Sequence, residues 1–157
     1  MKPLVAILFL LCFFWAPAQK DEAAAVDWLT FEELETALTR VPKKVLVHFY
    51  ADWCVYCKKM ENKVYTKPDI VEALSKEYYA VKFDVEATDT IHFGGRTFTN
   101  ENYGKQRVAY HQIPELLTGY SSTDLALPAT VILDSTFQIE KRFFRYIPPR
   151  EMRRILK

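Results

Sequence analysis

Apolar residues recur along the chain at two spacings, one typical of helices and one of buried strands. Lys43 to Tyr50 is rich in valine and aromatic residues on both alternating faces, which predicts a central strand covered from both sides. Tyr78 to Val85 is a second strand-like run. Helical spacing begins near Val55, and Pro68 separates it from a second helical segment, Asp69 to Leu74. This order of strand, helix and strand predicts a parallel pair joined by a right-handed crossover.

The segments on either side of this unit complete an α/β pattern. Thr30 is followed three residues later by Glu33, a capping box that predicts the start of an amphipathic helix. Toward the C-terminus, Pro128 to Asp134 and Phe137 to Phe144 have the pattern of two antiparallel strands, and Arg150 to Leu156 that of a final helix. The element order predicts a mixed sheet with helices on both faces.

The region between the second and third strands has a weaker pattern. The Gly94-Gly95 dipeptide lies between two short alternating segments within Thr90 to Thr99, which predicts a small hairpin. A helix is expected somewhere between Asn102 and Thr118, because Gly119 is a typical helix end. The two histidines of this region are expected at the surface or in the hairpin; they are His92 and His111.

The N-terminus has the pattern of a secretory signal peptide. An apolar run from Leu4 to Trp15 follows a lysine and precedes Ala16-Pro17-Ala18, which predicts a signal peptide over residues 1–18. A retained membrane anchor is the alternative, but about a dozen apolar residues fall short of the roughly 20 that span a bilayer. Residues 19–28 are then a flexible lead-in, and residues 29–157 the folded domain. The protein is therefore expected to be exported, to the periplasm or the extracellular space.

The charge balance disfavours two classes of partner. The chain has 21 Lys and Arg residues and 20 Asp and Glu residues. Because the predicted signal peptide contains one lysine and no acidic residue, its removal leaves 20 residues of each sign. A nearly neutral protein has no electrostatic basis for binding nucleic acid or an anionic membrane surface, so we expect neither as a partner.

Cys54 and Cys57 form a Cys-X-X-Cys pair where the central strand meets the following helix. Two intervening residues let one helical turn bring both sulfurs within bonding distance. The third cysteine, Cys12, lies in the apolar core of the predicted signal peptide and is expected to be discarded. So short a loop stabilises a fold little, which favours a catalytic dithiol with Cys54 as the exposed attacking group and Cys57 beneath it. A zinc site is disfavoured because the chain has no second Cys-X-X-Cys and no His-X-X-His.

One segment resembles the active site of thioredoxin-like proteins, Tyr50-Ala51-Asp52-Trp53-Cys54-Val55-Tyr56-Cys57-Lys58. The similarity continues at Met60-Glu61, Asp69-Ile70-Val71, Phe83-Asp84-Val85 and Leu127-Pro128-Ala129-Thr130. Within that family the chain looks most similar to the periplasmic C-terminal domain of DsbD thiol:disulfide interchange proteins and to small exported thioredoxin-related proteins. The resemblance implies a thioredoxin fold over most of residues 29–157, with an insert at 88–127 between the second strand and the loop that contains Pro128.

The resemblance also implies how a substrate would bind. Pro128 is expected to follow a cis peptide bond, which would leave the Leu127 backbone free to pair with an extended substrate beside Cys54. Trp53 is expected to face the substrate, to pack against the domain, or both. The residues given a part in substrate binding are therefore Trp53, Leu127 and Pro128.

A base is needed to take the proton from Cys57 before its sulfur attacks a mixed disulfide. Glu61 is an ordinary surface acid by composition, but it occupies the position of an acidic residue in DsbD-like proteins, on the same helical face as Cys57. His48 stands where thioredoxin-like proteins commonly have an aspartate, six residues before the first cysteine. It is either a base for Cys57 or a neutral imidazole hydrogen-bonded in the core, and the sequence leaves both open.

Val55 and Tyr56 set the expected redox poise, because they offer no imidazole and little hydrogen bonding to sulfur. We therefore expect a Cys54 pKa nearer the ~7 of thioredoxin than the ~3.5 of a strong oxidant, which favours a reductase. The alternatives are an oxidase or isomerase, and a non-catalytic module that binds a partner through the 88–127 insert. The resemblance implies protein disulfides as substrates and no cofactor beyond the Cys54–Cys57 disulfide. Because the sequence has no counterpart of the DsbD membrane domain, we expect a separate electron-donor protein, and the ligand count given above favours no metal.

Overall fold

The computed structural model describes residues 25–157, which form five helices and seven strands. The predicted signal peptide and most of the predicted lead-in lie outside the described residues. Within residues 25–157, no helix is both long enough and apolar enough to cross a membrane. In chain order the elements are β1 (Trp28–Leu29), α1 (Phe31–Arg40), β2 (Lys44–Tyr50), α2 (Val55–Lys63), α3 (Pro68–Glu77), β3 (Tyr78–Asp84), β4 (Ile91–Phe93), β5 (Arg96–Phe98), α4 (Gln112–Thr118), β6 (Ala129–Leu133), β7 (Ile139–Phe143) and α5 (Pro149–Ile155).

Five strands form one mixed sheet in the order β1-β3-β2-β6-β7. β2 pairs in parallel with β3 and antiparallel with β6, so β2 is central and β1 and β7 are the outer strands. The predicted α/β architecture is confirmed. One boundary differs. Trp28, which the sequence pattern assigned to the lead-in, belongs to β1 and pairs with Ala80 of β3. The centre of its ring lies 4.9 Å from that of Tyr65. Partial burial of this large aromatic ring stabilises the position of the segment.

Alternate residues of β2 contribute to two cores, one on each face of the sheet. Val45, Val47 and Phe49 point to the face that α1 and α4 cover. Leu46 points to the opposite face, which α2, α3 and α5 cover. The prediction that this strand is covered from both sides is confirmed, and the two-residue period of a strand places His48 on the Leu46 face.

Helix α1 begins with the predicted capping box. The Thr30 hydroxyl accepts a hydrogen bond from the Glu33 backbone N–H at 3.2 Å, and the Glu33 carboxylate accepts one from the Thr30 backbone N–H at 2.8 Å. Both bonds satisfy N–H groups that have no partner within the helix. The same helix supports the hairpin described below, so its first turn contributes to the insert as well as to the core.

We expect Thr30→Ala to lower the free energy of unfolding by about 1 kcal/mol, because it removes the cap from α1. Urea denaturation would measure the loss. The matched control is Thr39→Ala in the last turn of α1, where an exposed hydroxyl bonds only the Thr36 carbonyl, and we expect a change within about 0.5 kcal/mol. Equal losses in the two variants would show that the cap has no special contribution.

The insert between β3 and β6 begins with the predicted hairpin, formed by β4 and β5. Gly94 and Gly95 have φ of 60° and 68°, a left-handed conformation that suits glycine in a tight turn. The hairpin lies against α1, where the backbone N–H groups of His92 and Gly94 donate to the carboxylates of Glu32 and Glu35 at 3.3 and 3.0 Å. His92 is exposed in this hairpin, as predicted.

The helix expected between Asn102 and Thr118 is confirmed, but it occupies only Gln112–Thr118. The residues before it form turns instead. Pro114 lies in the first helical turn, where its missing N–H costs nothing. Gly119 ends the helix with φ of 79°, as predicted.

His111 is buried, and its predicted surface position is wrong. The side chain caps α4 from inside the fold: Nδ1 accepts a hydrogen bond from the Ile113 backbone N–H at 3.2 Å, and Nε2 lies 3.2 Å from the Asp89 carbonyl oxygen. Burial is the main cause that lowers the pKa of His111. A histidine whose two nitrogens both meet backbone groups can be buried at low cost, which composition alone does not reveal.

Strand β7 begins at Ile139, later than the predicted start at Phe137. The Asp134 carboxylate accepts hydrogen bonds from the backbone N–H groups of Thr136 and Gln138 at 2.8 and 2.9 Å, which folds this stretch into a turn. Phe137 has φ of 62° within that turn. Its ring lies 5.1 Å from that of Phe93 in the hairpin, so packing holds an aromatic residue where glycine is usual.

Candidate active site

Cys54 and Cys57 lie where β2 leads into α2, as predicted. Cys54 is the N-cap residue of α2 and Cys57 lies in its first turn. The two form a disulfide with their Cα atoms 5.2 Å apart. The backbone N–H of Cys57 donates to Cys54 Sγ at 3.1 Å. The helix therefore directs an N–H group and its partial positive charge at the sulfur that would become a thiolate.

The two cysteines differ in their access to solvent. Cys57 is 0% exposed and Cys54 is 4% exposed, so the prediction of an exposed Cys54 is wrong for the disulfide form. The disulfide and the bond from the Cys57 N–H hold Cys54 against the first turn of α2. The small remaining exposure belongs to Cys54 alone, so an incoming thiolate meets this residue and not Cys57.

Large apolar side chains surround Cys54 at the surface. Trp53, Val55 and Tyr56 are 60%, 75% and 59% exposed. Exposed apolar side chains that cluster in this way are typical of surfaces that bind proteins, membranes or apolar ligands. Beside them, the Lys59 ammonium lies 4.9 Å from the ring centre of Tyr146, so the helix side of this surface has a positive charge.

Trp53 is exposed but has a fixed orientation. Its indole Nε1 donates to Glu86 Oε1 at 3.1 Å. Glu86 follows the end of β3, and its own backbone N–H donates to Asp84 Oδ1 at 2.9 Å. Trp53 thus presents its ring to solvent while its polar edge is bound to the domain.

The Leu127–Pro128 peptide bond is cis, as predicted. The next residue, Ala129, pairs with Phe49 near the end of β2 and shares an apolar cluster with both cysteines. Leu127 and Pro128 therefore lie at the edge of the sheet from which the Cys54 segment extends. Pro128 is buried and Leu127 is partly exposed.

His48 is fully buried among aromatic side chains. Its ring lies 5.1 Å from that of Tyr65, 6.2 Å from that of Trp28, and is stacked at 6.4 Å from that of Tyr50. Neither ring nitrogen has a hydrogen-bond partner among the described residues. Burial, together with the nearby charge of Lys82, lowers the pKa of His48 from 6.5 to about 3. The imidazole is therefore neutral near physiological pH.

Glu61 forms an ion pair with Lys82, whose Nζ lies 2.9 Å from Glu61 Oε2, and both side chains are partly exposed. Lys82 is the register partner of His48 on the neighbouring strand, and its ammonium lies 4.3 Å from the ring centre of Tyr50. Glu61 lies one helical turn beyond Cys57, on the same face of α2. Its carboxylate is thus held by a cation close to the buried cysteine.

Two residues of this site were not predicted from the sequence, Lys82 and Glu86. Lys82 looks like an ordinary partly exposed strand residue, and only the pairing of β2 with β3 brings it beside His48. Glu86 had a detectable signal, because it follows the carboxyl end of a predicted parallel strand. Carboxyl ends of parallel strands share one edge of the sheet, the edge where Cys54 was already expected.

The arrangement suits two-electron exchange between thiols and disulfides. It combines one sulfur that a partner can contact, a second that is buried one turn deeper, and a helix N-terminus that favours the thiolate. Across the part of the chain that the structure describes, no group of three or more His, Cys, Asp or Glu side chains could hold a metal ion.

The family model described as thioredoxin-like matches residues 27–134. DsbD 2, a thiol:disulfide interchange protein of Pseudomonas aeruginosa, is 57% identical over 30 residues, which are 19% of this chain and 5% of that protein. The DsbD protein of Klebsiella pneumoniae is 38% identical over 64 residues, 39% of this chain and 11% of its own. The DsbD protein of Vibrio vulnificus is 34% identical over 71 residues, 43% of this chain and 12% of its own. The matches therefore span a small part of these relatives' length.

Solved structures show the same fold at low sequence identity. A thioredoxin from Thermus thermophilus has a TM-score of 0.58 at 18% identity, over 85% of each chain. A structure titled DsbH oxidoreductase has a TM-score of 0.55 at 18% identity, over 85% of this chain and 82% of its own. The reduced DsbD C-terminal domain of Neisseria meningitidis has a TM-score of 0.50 at 16% identity, over 80% of this chain and 89% of its own. The predicted thioredoxin fold is confirmed.

Proposed function

The chain belongs to the thioredoxin-like family and its Cys54–Cys57 pair makes it a thiol:disulfide oxidoreductase; we propose that it reduces the disulfides of other proteins outside the cytoplasm. One observation supports the proposal above the others. The disulfide lies at a helix N-terminus and only Cys54 has any exposure, within a surface of large apolar side chains. Such a surface suits contact with a polypeptide better than with a small polar molecule.

The reaction begins with the reduced protein. The Cys54 thiolate attacks one sulfur of a substrate disulfide, the substrate S–S bond breaks, and the other substrate sulfur leaves as a thiolate that takes up a proton. Cys57 then loses its proton and its sulfur attacks Cys54 Sγ, which breaks the mixed disulfide and releases the second substrate thiol. The substrate gains two electrons and two protons, and the protein is left with the Cys54–Cys57 disulfide.

We propose that Glu61, and not His48, is the base that accepts the proton from the Cys57 thiol. His48 is fully buried and neither of its ring nitrogens has a hydrogen-bond partner among residues 25–157, so a proton taken from Cys57 would leave an uncompensated positive charge in the core. Glu61 lies on the same helical face as Cys57, and its ion pair with Lys82 keeps the carboxylate beside α2. His48 then contributes a neutral, non-repelling side chain beneath the sheet edge, where a carboxylate would add negative charge.

The substrate segment is proposed to bind along the Leu127 backbone. This position lies at the sheet edge beside the cysteines, where an extended chain could add main-chain hydrogen bonds. Trp53, on the other side of Cys54, would contact the residues next to the substrate disulfide. Pro128 is buried next to Leu127 and would contribute by shaping this loop.

The residues around the sulfurs support a direction of electron flow, from this protein to its substrates. The N-terminal residues support the compartment in which its partners lie. Val55 and Tyr56 are exposed and do little to stabilise the thiolate, so the reduced form should be a good electron donor. The signal-like residues 1–18 support export to the periplasm or beyond. A separate protein would then return electrons to the Cys54–Cys57 disulfide, and the reaction needs no further cofactor.

Two measurements on the chain lacking residues 1–18 test the proposal. We expect catalytic reduction of insulin with dithiothreitol as the terminal reductant, and a reduction potential near that of thioredoxin, about −270 mV, by equilibration with glutathione. A potential near about −120 mV would identify an oxidase, and one near about −180 mV an isomerase. A protein that reduces no insulin would instead support a binding module.

A further inference from the structure

Lys59 lies between two tyrosine rings on the exposed side of α2. Its ammonium is 6.0 Å from the ring centre of Tyr56 and 4.9 Å from that of Tyr146, and the two ring centres are 6.3 Å apart. An exposed lysine normally samples many rotamers, but attraction to the faces of aromatic rings favours those that keep the ammonium near them. Because Tyr56 is the residue before Cys57, the positive charge is held beside the active-site segment.

The positive charge of this helix face is not neutralised by neighbouring carboxylates. Three lysines of α2 form no ion pair within the described part of the chain; they are Lys58, Lys59 and Lys63. The acidic residue of the same helix, Glu61, already pairs with Lys82, and Glu151 of α5 pairs with Arg145. The face therefore has free positive charge, although the whole chain is nearly neutral.

The sheet places Lys59 and a group of carboxylates on opposite sides of the reactive cysteine. β2, β3 and β7 run in the same direction, so their carboxyl ends share the edge from which the Cys54 segment extends. β3 and β7 lie on opposite sides of β2. Tyr146 follows β7, whereas Asp84 and Glu86 lie at the end of β3. The opening beside Cys54 thus has a positive side and a negative side.

We propose that Lys59, held between Tyr56 and Tyr146, is a specificity-determining residue that binds a carboxylate of the polypeptide next to the disulfide that Cys54 attacks. The proposal rests on the proposed reduction of protein disulfides. An ammonium that is already restricted loses less conformational entropy when it binds a carboxylate. The acids at the end of β3 repel a carboxylate on their own side, so a substrate acid is favoured only on the α2 side.

A positive charge near Cys54 has a different possible effect that the experiment must separate. By stabilising the Cys54 thiolate, Lys59 could change the rate with every substrate. Recognition of a carboxylate changes the rate only with substrates that have one in the right place, and salt weakens it. The charge of the substrate is therefore the variable that distinguishes the two effects.

Three single-cysteine peptides are the probes, each with its cysteine in a mixed disulfide with 2-thiopyridine. They differ only in having glutamates before the cysteine, glutamates after it, or glutamines at both places. The Cys54 thiolate of the pre-reduced chain lacking residues 1–18 attacks the peptide sulfur, the S–S bond breaks, and thiopyridone leaves. Its absorbance gives the second-order rate constant for each peptide.

One of the glutamate peptides should react about twofold to fivefold faster than the glutamine peptide at low salt, the range of a single exposed ion pair. It is the peptide whose glutamates reach the α2 side. At about 0.01 M salt the Debye length is about 30 Å, and at 1 M salt it is about 3 Å. The three rate constants should therefore converge at the higher salt concentration.

Variants of the tyrosine-lysine cluster assign this preference to Lys59. Lys59→Gln should bring the ratio of rate constants to within about 1.5-fold of unity and leave the glutamine peptide unaffected, whereas Lys59→Arg should keep the preference. Tyr146→Leu should lower the preference, because the ammonium loses its nearest ring. The matched control is Lys63→Gln in the last turn of α2, which removes the same charge without disturbing the cluster and should keep the preference.

Each other result contradicts the inference. Equal rate constants for the three peptides at low salt would show that no carboxylate is recognised. An equal fall for all peptides in Lys59→Gln would assign the lysine to the thiolate, and an equal loss of preference in Lys63→Gln would show a diffuse field. An unmodified protein that reacts normally but without preference defeats this inference alone. One that releases no thiopyridone from any peptide defeats the proposed function as well.

Discussion

Cys54→Ser is expected to reduce insulin no faster than the same solution without protein, whereas Cys57→Ser is expected to stop one step later. The first variant lacks the sulfur that a substrate can contact, since Cys57 is 0% exposed. The second can still attack, but serine cannot displace the substrate from Cys54. A mixed disulfide should therefore accumulate, visible on a non-reducing gel and by mass spectrometry as the variant plus one substrate chain.

The double variant, with serine at both positions, is the control and should capture nothing. Mixed disulfides on Cys54→Ser instead of Cys57→Ser would show that the attacking sulfur has been assigned wrongly. Full turnover by Cys57→Ser would exclude the two-cysteine cycle. In the native compartment the same trap should capture the physiological substrate and the electron donor, because each passes through a mixed disulfide with Cys54 during the cycle.

The protein is expected to lose stability as the pH falls below 6.5, because of His48. Its pKa is lowered to about 3 in the fold, against 6.5 for a free imidazole, so the unfolded chain takes up the proton first. The contribution of His48 to the free energy of unfolding keeps its full value above pH 6.5 and declines as the pH falls toward 3. The loss is about 1.4 kcal/mol per pH unit, or up to about 3 kcal/mol by pH 4.

Urea unfolding of the original protein and His48→Leu between pH 7.5 and pH 4 measures this effect. The leucine variant should lose less stability over that range by the same amount, while at neutral pH an apolar side chain in place of an unpartnered imidazole should be nearly neutral or stabilising. His92→Leu, in the exposed hairpin, is the control and should follow the original curve. Parallel curves for the original protein and His48→Leu would contradict the neutral, buried imidazole.

The parts of the site that the sequence predicted are those set by local spacing. Cys54 and Cys57 lie on one helical turn, and the strand before them was predicted from its own run of apolar residues. Pro128 was found because the resemblance assigned it a place before the third strand. In each case neighbours along the chain, or a family pattern, supplied the geometry.

The parts that were missed depend on which elements become neighbours in space. Lys82 meets Glu61 and His48 only through the pairing of β3 with β2 and the packing of α2 on that face. His111 is buried because its two nitrogens meet backbone groups, one of them 22 residues away. The low exposure of Cys54 results from the closed disulfide and the first turn of α2. The spacing of the two cysteines in the sequence does not reveal how much of Cys54 remains exposed.

The two margins of the sheet are poor places for an unrelated chain to attach. β1 has two residues, and β7 presents exposed Glu140, Lys141 and Arg142. Short or charged outer strands discourage the edge-to-edge pairing that leads to aggregates. With both outer strands protected in this way, the proposed substrate site beside the cysteines is the place where we expect an extended chain to pair with the sheet.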